Sequence, residues 1–320
     1  MSKSASYKSN RHLVMDRWLD IIRDEPSRMV DAPILHHYTD AFGAEGIISS
    51  NVLWATATQF SNDLSEIEYA VSIAKAVINE TWGNKRNVGP WETLLVEHLA
   101  HLFGTPLHSF GQPFIVSFCE QGDLLSQWRA YGQASGFSLA FRSLCLNDQV
   151  RLVCKHGFRT MVKRVLYEPS KQRARLRSIL RRLIKLVNGF SFRIASARGA
   201  DAHVELSLLL VLEMTDWALA VKHQSFLEEK EWRIVTYPKG ATLSGIKPEN
   251  YEGVSIRPTP KLLLPYMILE PLSGKRLPLI GVRCGPSPLQ EQSARAMNIL
   301  LRKHGYNNLP VTFSSVPLRI

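Results

Sequence analysis

The amino-acid sequence predicts an α+β fold, with a mostly antiparallel or split β-sheet that contains a helical insertion. Segments rich in β-forming residues occur near both ends of the chain, whereas the longest helical patterns are grouped between them. Strands and helices do not alternate as they do in parallel βαβ folds, and no internal repeat is present. These features together favour a sheet interrupted by helices over a doubly wound or repeat architecture.

The first half of the chain begins with apolar residues at helical spacing over residues 10–24. "ILHHYT" predicts a strand, and Gly43 is followed by a predicted short helix and strand. Asp63 and Glu66 have the spacing of a helix N-terminal cap, which predicts where the next helix starts. The later elements of this half are the helix "WETLLVEHLAHLF", the buried strand "FIVSFCE", the short helix or loop "GDLLSQWRAYG" and the strand "GFSLAFR".

The second half starts with a predicted strand hairpin over residues 151–168, followed by two helices. In the first helix, "SKQRARLRSILRRLIKLVNGF", apolar residues recur at helical spacing and most arginines lie on the opposite side. We predict a basic helical insertion at about 170–222, an N-terminal helical extension over 1–30 and a single α+β domain over 31–320. The remaining predicted elements are the strands "EWRIVTY", "YEGVSIRP", "LPLIGVRCGP" and "VTFSS" and the helix "PLQEQSARAMNILLRKHGY".

The positive charge of the chain is concentrated in one window. The whole chain has 39 basic and 28 acidic residues, a net charge of +11, whereas residues 151–200 alone contain fourteen basic residues and one acid, Glu168. Such a density of cations favours a polyanion, so RNA or DNA is the expected partner; an acidic protein or a merely solvated surface are the alternatives. The expected nucleic-acid-binding residues are Arg173, Arg175, Arg177, Arg181, Arg182 and Lys185.

Several classes of protein are disfavoured by what the sequence lacks. It contains no apolar stretch of signal-peptide or membrane-span length, so we expect a soluble, cytoplasmic protein without a membrane partner. The four cysteines have no CxxC spacing, so we expect reduced thiols and no metal site. No GxGxxG, GxxxxGK[ST] or HExxH motif is present, which argues against Rossmann dehydrogenases, P-loop NTPases and zincins.

The segment "EEKEWRIV" places acidic residues at the start of a predicted buried strand. If the strand begins at Glu229, then Glu229 and Glu231 share a face with Arg233, and Lys230 points the opposite way. Two carboxylates on one face repel each other, which raises one pKa unless a cation or a polar ligand compensates. The pattern therefore indicates either an internal Glu–Arg pair or a functional site.

Other polar residues in predicted elements have similar double interpretations. His37 shares a strand face with Leu35 and Thr39, and His36 shares the other face with Tyr38. A buried strand histidine indicates either a hydrogen-bonded core residue or a ligand contact. Trp128 and Tyr131 likewise share one helix face, which suits core packing or a flat aromatic ligand, and Ser117 lies in a predicted buried strand nearby in sequence.

The ordered set "LHHYT", "FSNDLSE", "VSFCE", "LLSQWRAYG", "GFSLAF", "EEKEWRIV" and "GPSPLQEQ" resembles the bacterial domain-of-unknown-function family DUF2971. The resemblance runs from about residue 33 to the C-terminus, with the basic helix as an elaboration. A more distant likeness is to the ADP-ribosyltransferases. An opening strand with His-Tyr-Thr, a central strand with Ser and a late strand with Glu-x-Glu are similar to the arrangement in that superfamily, which cleaves NAD on a split β-sheet.

The second resemblance implies roles for individual residues. Glu231 would be the catalytic carboxylate and Glu229 the accessory acid, with NAD as the substrate. His37 would bind the adenosine-side ribose, and Ser117 or Tyr131 would lie near nicotinamide. The complete implied NAD-binding set is His37, Tyr38, Thr39, Ser117, Trp128, Tyr131 and Arg233.

We therefore expect an NAD-dependent ADP-ribosyltransferase-like enzyme that modifies a nucleic acid or a protein, in bacterial phage defence or a toxin–antitoxin system. The alternative is a non-catalytic nucleic-acid-binding module or defence-system subunit, and an antitoxin or defence-complex protein is a further expected partner. A metal-dependent nuclease using Asp63, Glu66, Glu229 and Glu231 is disfavoured, because these acids lack a recognised metal-ligand spacing.

Overall fold

A computed structural model describes ten segments of the chain. They comprise residues 34–60, 64–83, 89–104, 113–132, 136–142, 152–194, 199–238, 252–259, 262–271 and 275–317. The predicted extension over 1–30 and the proposed cap residue Asp63 lie outside the described residues. In the described segments, helices and a mostly antiparallel sheet occur together, which confirms the α+β class.

Seven α-helices and eleven strands are defined in these segments. The helices are α1 (Ala41–Ser50), α2 (Leu64–Trp82), α3 (Pro90–Gly104), α4 (Leu125–Gln127), α5 (Pro169–Ile194), α6 (Gly199–Ala218) and α7 (Gln290–Lys303). The strands are β1 (Leu35–Thr39), β2 (Leu53–Ala57), β3 (Phe114–Cys119), β4 (Phe137–Phe141), β5 (Leu152–Val153), β6 (Gly157–Arg164), β7 (Glu231–Pro238), β8 (Val254–Pro258), β9 (Leu263–Pro271), β10 (Leu279–Cys284) and β11 (Val311–Phe313). A π-helical turn, Trp128–Gly132, continues α4, and a 3₁₀ turn, Gln224–Glu229, precedes β7.

Strand β3 is the centre of the sheet. Along one edge it pairs with β7 over its full length, and β7 in turn pairs with β6. Its other edge is shared: the end at Cys119 pairs with β1, whereas the beginning, at Phe114 and Ile115, pairs with β2. One branch continues as β1-β4-β10-β11 and the other as β2-β9-β8, and in the described chain only the β10–β11 pair is parallel.

His37 lies where the two branches separate. Its imidazole Nδ1 is 2.9 Å from the carbonyl oxygen of Ser117, in the stretch of β3 between the β1 and β2 pairings. The imidazole ring also lies against Phe118, with ring centroids 5.6 Å apart. Because a buried carbonyl without a donor is costly, this contact satisfies the edge of β3 where no strand does.

Helices cover both faces of the sheet. On one face, α1 and α7 pack through Ile47, Ile48 and Leu301 against strand residues that include Leu35 and Phe118. On the opposite face, α2, α3, α5 and α6 form a second apolar core with Ile115, Val235 and Tyr237. The first face is almost wholly apolar, so polar side chains of the central strands collect on the second face.

Most predicted elements occur, and two differ. The predicted hairpin over 151–168 is wrong: β5 pairs with β9 and β6 pairs with β7, so the two strands have different partners. Strand β9 was not predicted, although it pairs with β2, β5 and β8. Strand β7 begins at Glu231, as the predicted strand "EWRIVTY" does, and it does not extend back to Glu229, because the 3₁₀ turn occupies the preceding residues.

The two helices of the predicted basic insertion are α5 and α6, and they lie between β6 and β7 in the chain. Among the helices that the structure describes, none is both long and apolar enough to cross a membrane.

The contact of His37 with β3 predicts a pH-dependent contribution to stability. We expect His37→Leu to lower the free energy of unfolding by about 1–3 kcal/mol near neutral pH, because the Ser117 carbonyl loses its donor. Burial, and secondarily Arg257, lower the pKa of His37 below 6.5. Below that pH the unfolded chain takes up a proton that the folded protein does not, so the contribution disappears as the pH falls.

Urea unfolding of wild type and His37→Leu at several pH values measures this difference, which should narrow below about pH 6.5. His304→Leu, at the C-terminal end of α7, is the control and should show no comparable narrowing. A difference that stayed constant with pH would contradict a neutral His37 as the donor to Ser117.

Candidate functional site

A cluster of five charged side chains lies at the N-terminal end of β7. Lys222 Nζ is 2.7 Å from Glu66 Oε1 on α2, 2.7 Å from Glu229 Oε2 and 3.2 Å from Glu231 Oε2. Arg233 completes this set, which we call the charged cluster. Its members come from α2, the 3₁₀ turn, β7 and the segment between α6 and the turn, so only the tertiary fold brings them together.

Arg233 binds the same carboxylates from the other side. Its Nε is 2.7 Å from Glu231 Oε1 and its Nη2 is 2.8 Å from Glu231 Oε2, which makes the ion pair bidentate. Nη2 also contacts Glu66 Oε2 at 2.5 Å, and Nη1 donates to the carbonyl of Leu219 at 3.0 Å. The guanidinium therefore fixes the Glu231 carboxylate in one orientation.

The local backbone explains why Glu229 and Glu231 both reach Lys222. The 3₁₀ turn ends at Lys230, which has a positive φ of 41°. This left-handed residue redirects the chain between the two glutamates, so the carboxylates converge even though only Glu231 belongs to the strand. The backbone N–H of Glu231 donates to the Tyr167 hydroxyl at 2.8 Å, which fixes the start of β7.

The charged cluster has three carboxylates and two cations, so its members do not all share one electrostatic environment. Burial disfavours ionisation of Glu231, but Arg233 and Lys222 outweigh it and lower its pKa to about 2. Burial instead raises the pKa of Glu66 and Glu229, despite the same two cations. Glu231 is thus held ionised, whereas Glu66 and Glu229 are more suited than Glu231 to exchange a proton.

Ser117 and Tyr131 lie beside this cluster. The Ser117 side chain hydrogen-bonds to the Glu231 carboxylate, and its strand position is directly opposite Arg233. The pKa of Tyr131 is raised by desolvation and then by Glu231, and its side chain is nevertheless 44% exposed. A half-exposed aromatic ring therefore lies near a buried carboxylate.

The two neighbouring histidines occupy different environments. His36 pairs in register with Cys119, which pairs with Glu231, so these three residues share the polar face of the sheet. His37 lies on the other face, against Phe118, and reaches only the backbone of Ser117. The resemblance implies that His37 lies close to Ser117 and Glu231. The strands that carry these residues are indeed adjacent, but the His37 imidazole lies on the opposite face of the sheet. His36 is the histidine that shares a face with Ser117 and Glu231.

Three further residues of the predicted NAD-binding set have contacts that support the fold. The Tyr38 hydroxyl donates to the Gln121 carbonyl at 2.8 Å and accepts from the Leu124 N–H at 2.9 Å. Buried Trp128 donates from Nε1 to Asp123 at 2.8 Å and packs edge-on against Tyr38. Thr39 ends β1 immediately before α1. Tyr38 and Trp128 therefore have hydrogen-bond partners outside the charged cluster.

The basic helix α5 exposes several cations. Arg175, Arg177, Arg181 and Lys185 are exposed, whereas Arg173 and Arg182 are partly buried. Arg173 and Arg177 both bind Glu80 of α2, at 2.6 and 2.7 Å. Although few acids are nearby in sequence, Glu80 therefore partly neutralises the helix in the folded protein. Among the described residues, the exposed Arg181 and Lys185 contact no acidic side chain.

Sequence reasoning missed Lys222, and it assigned Glu66 to a helix cap or to a disfavoured metal-dependent nuclease site. Lys222 lies in "LAVKHQ", where no pattern of charge marks it. The available signal was indirect: three acids near a buried strand need more than one cation. Within the described residues, no group of His, Cys, Asp or Glu has the arrangement of a metal site.

Comparison with known proteins adds one match. Residues 127–234 match the family model described as a protein of unknown function (DUF2971), a segment that includes Tyr131, Lys222, Glu229, Glu231 and Arg233. The resemblance to this family is confirmed over that segment, whereas similarity to ADP-ribosyltransferases is not shown. No curated protein and no solved structure matches the chain.

The charged cluster predicts a large effect for loss of Lys222. We expect Lys222→Met to lower the free energy of unfolding by about 3–5 kcal/mol near neutral pH, because three partly buried carboxylates then share one cation. Without the ammonium, the pKa of Glu66 and Glu229 rises further, and the folded variant takes up protons that the unfolded chain does not. The deficit should therefore shrink as the pH falls from about 7 toward 5.

Urea unfolding across this pH range measures the effect. Lys171→Met is the matched control, because Lys171 pairs with Glu168 at 2.6 Å on the surface and such exposed pairs contribute about 0–1 kcal/mol. Equal losses for the two variants would contradict a central role for Lys222.

Proposed function

We propose that the charged cluster is the active site of an ADP-ribosyltransferase-like enzyme that cleaves the nicotinamide–ribose bond of NAD. The observation that carries this proposal is the contact of Ser117 with Glu231, beside Glu229 and Tyr131, on one face of a sheet whose central strand is shared by two branches. The resemblance to Glu-x-Glu transferases concerns these same residues, which come from three separate segments of the chain.

The chemistry follows from the charge of Glu231. When the bond between the nicotinamide nitrogen and ribose C1′ breaks, its electron pair leaves with nicotinamide and C1′ becomes oxocarbenium-like. A carboxylate that stays ionised and oriented stabilises that positive charge and can accept a hydrogen bond from a ribose hydroxyl. Arg233 and Lys222 hold Glu231 in this state, with its pKa lowered to about 2.

Glu229 and Tyr131 supply the remaining functions of the proposed reaction. Glu229, whose pKa is raised by burial, would take the proton from the acceptor hydroxyl as its oxygen bonds to C1′. In this proposal the half-exposed ring of Tyr131 would stack on nicotinamide. A structural ion-pair network is the competing interpretation, and it assigns no change in reactivity to these residues.

Release of nicotinamide from NAD, followed by chromatography, tests the proposal. Glu231→Gln keeps the shape of the side chain but removes its charge, and we expect the rate to fall about a hundredfold or more. Ser117→Ala, which leaves the ion pairs in place, should lower the rate while thermal unfolding stays near that of wild type.

Glu228→Gln is the matched control, because Glu228 is an exposed acid one residue before Glu229. It should leave the rate unchanged. The proposal is contradicted if the wild-type protein releases no nicotinamide when it is given NAD and a mixture of nucleic acids and proteins. Equal rates for wild type and Glu231→Gln would also contradict it.

A second function, binding of nucleic acid by α5, is favoured by its exposed cations. Arg181 and Lys185 are one helical turn apart and exposed, and Arg181 donates from Nε to the Arg177 carbonyl at 3.3 Å. Phosphate contacts by such residues release counterions, so affinity falls steeply with salt. This surface would supply an anionic acceptor to the proposed enzyme, or serve a non-catalytic binding module.

Titration of a short duplex DNA and a single-stranded RNA at several salt concentrations tests this surface. The double variant Arg181→Gln, Lys185→Gln should weaken binding and lower the slope of log affinity against log salt by about 2 for duplex DNA. Arg302→Gln with Lys303→Gln, two exposed cations at the end of α7, is the matched control. Identical slopes for the two double variants would contradict a specific role for α5.

A further inference from the structure

Arg257 on β8 lies on the same face of the sheet as Ser117 and Glu231. The strand register shows this: Ser255 of β8 is opposite Tyr266 of β9, Tyr266 is opposite Thr56 of β2, and Thr56 is opposite Ile115 of β3. Residues two apart on a strand share a face. Arg257 and Ser117 are therefore on the polar face, in the branch of the sheet that includes β2.

Among the described residues, the guanidinium of Arg257 has no acidic side chain in direct contact. Its Nη2 donates to Thr56 Oγ1 at 3.2 Å, and its central carbon is 5.4 Å from the centroid of the Trp54 ring. Its Nε is buried and has no hydrogen-bond partner among the described residues. Burial lowers the pKa of Arg257, although the charge of Asp40 acts in the opposite direction.

Arg257 is partly exposed, so an anion from solution has access to its guanidinium. Within the described part of the chain, Arg257 forms no ion pair, and desolvating a cation that lacks a partner destabilises the protein. The contrast with Arg233 is informative, because Arg233 is more deeply buried yet contacts two carboxylates. The planar fork of an arginine matches phosphate oxygens, so a phosphate group would satisfy the unused donors.

Two aromatic rings lie near the Arg257 guanidinium. Trp54 and Tyr266 lie side by side with ring centroids 5.4 Å apart and an interplanar angle of 48°. Both side chains are partly exposed and lie on the polar face, next to the guanidinium. A planar base beside a phosphate is the feature of nucleotides that such a combination recognises.

Strand β3 connects this region to the charged cluster. Thr56 is opposite Ile115, which shares a face of β3 with Ser117, and the Ser117 side chain contacts Glu231. A single extended ligand that reaches from Arg257 to Glu231 on the polar face would therefore pass Ser117.

We propose that Arg257, with Thr56 and the Trp54–Tyr266 pair, binds the phosphate-bearing adenosine half of a nucleotide in the branch point of the sheet. The proposal rests on the proposed function, because it assigns the adenosine diphosphate part of NAD to this position while its nicotinamide ribose lies at Glu231. Arg257 contacts the phosphates, and the aromatic pair contacts the base.

Calorimetric titration with ADP and with adenosine tests this assignment without requiring turnover. The wild-type protein should bind ADP, and Arg257→Gln should weaken that binding by about tenfold or more while changing adenosine binding much less. Thr56→Val should weaken ADP binding to a smaller extent. Arg276→Gln is the matched control, because Arg276 also lies over an aromatic ring, 5.3 Å from the Tyr306 centroid.

The outcomes separate this inference from the proposed enzyme. ADP binding that depends on Arg257 and is unchanged in Glu231→Gln supports the nucleotide site, even if no nicotinamide is released from NAD. Release of nicotinamide together with ADP binding that is equal in wild type and Arg257→Gln overturns the assignment and leaves the proposed enzyme standing. No ADP binding by wild type also overturns it. Thermal unfolding of each variant shows that lost binding does not reflect lost folding, and Thr56→Val provides the milder second variant.

Discussion

The contact of two cations with three buried carboxylates is the constraint on which the polar half of the structure depends. Lys222 and Arg233 join α2, the 3₁₀ turn and β7 at one point. Their positive charges partly neutralise the three carboxylates, and the carboxylates neutralise them in turn. Because separating one charge from such a set leaves another buried and unpaired, the set fixes the positions of all three elements together. Glu231 is consequently rigid and ionised.

This rigidity has a consequence for chemistry. A carboxylate that is oriented before a reaction begins needs no reorganisation when a positive charge develops next to it. The same contacts leave the excess negative charge on Glu66 and Glu229, whose pKa values are raised. One fold thus gives neighbouring glutamates different proton affinities, which is the condition for dividing stabilising and proton-transfer roles between them.

The branched sheet explains why polar residues from distant segments share one face. Strand β3 gives one edge to β7 and divides the other between β1 and β2, so Ser117 has the charged cluster on one side and the branch point on the other. His37 satisfies the Ser117 carbonyl at that branch. The opposite face is filled by apolar side chains under α1 and α7, so the polar side chains of the central strands collect on the face of Ser117 and Glu231.

The sequence alone determined most helices and strands, the α+β class and the shared face of Glu231 and Arg233, because periodicity and neighbouring charges are local properties of the chain. It did not reveal β9, because Pro265 and the irregular alternation of buried and exposed side chains obscure the strand pattern. It also did not reveal the strands with which β5 and β6 pair. The tertiary structure alone decided that Lys222 and Glu66 complete the cluster, that His36 rather than His37 shares its face, and that Glu80 binds two arginines of α5. Such contacts depend on how strands are ordered and how helices lie across them, and a local pattern carries no information about side chains that meet only after the chain has folded.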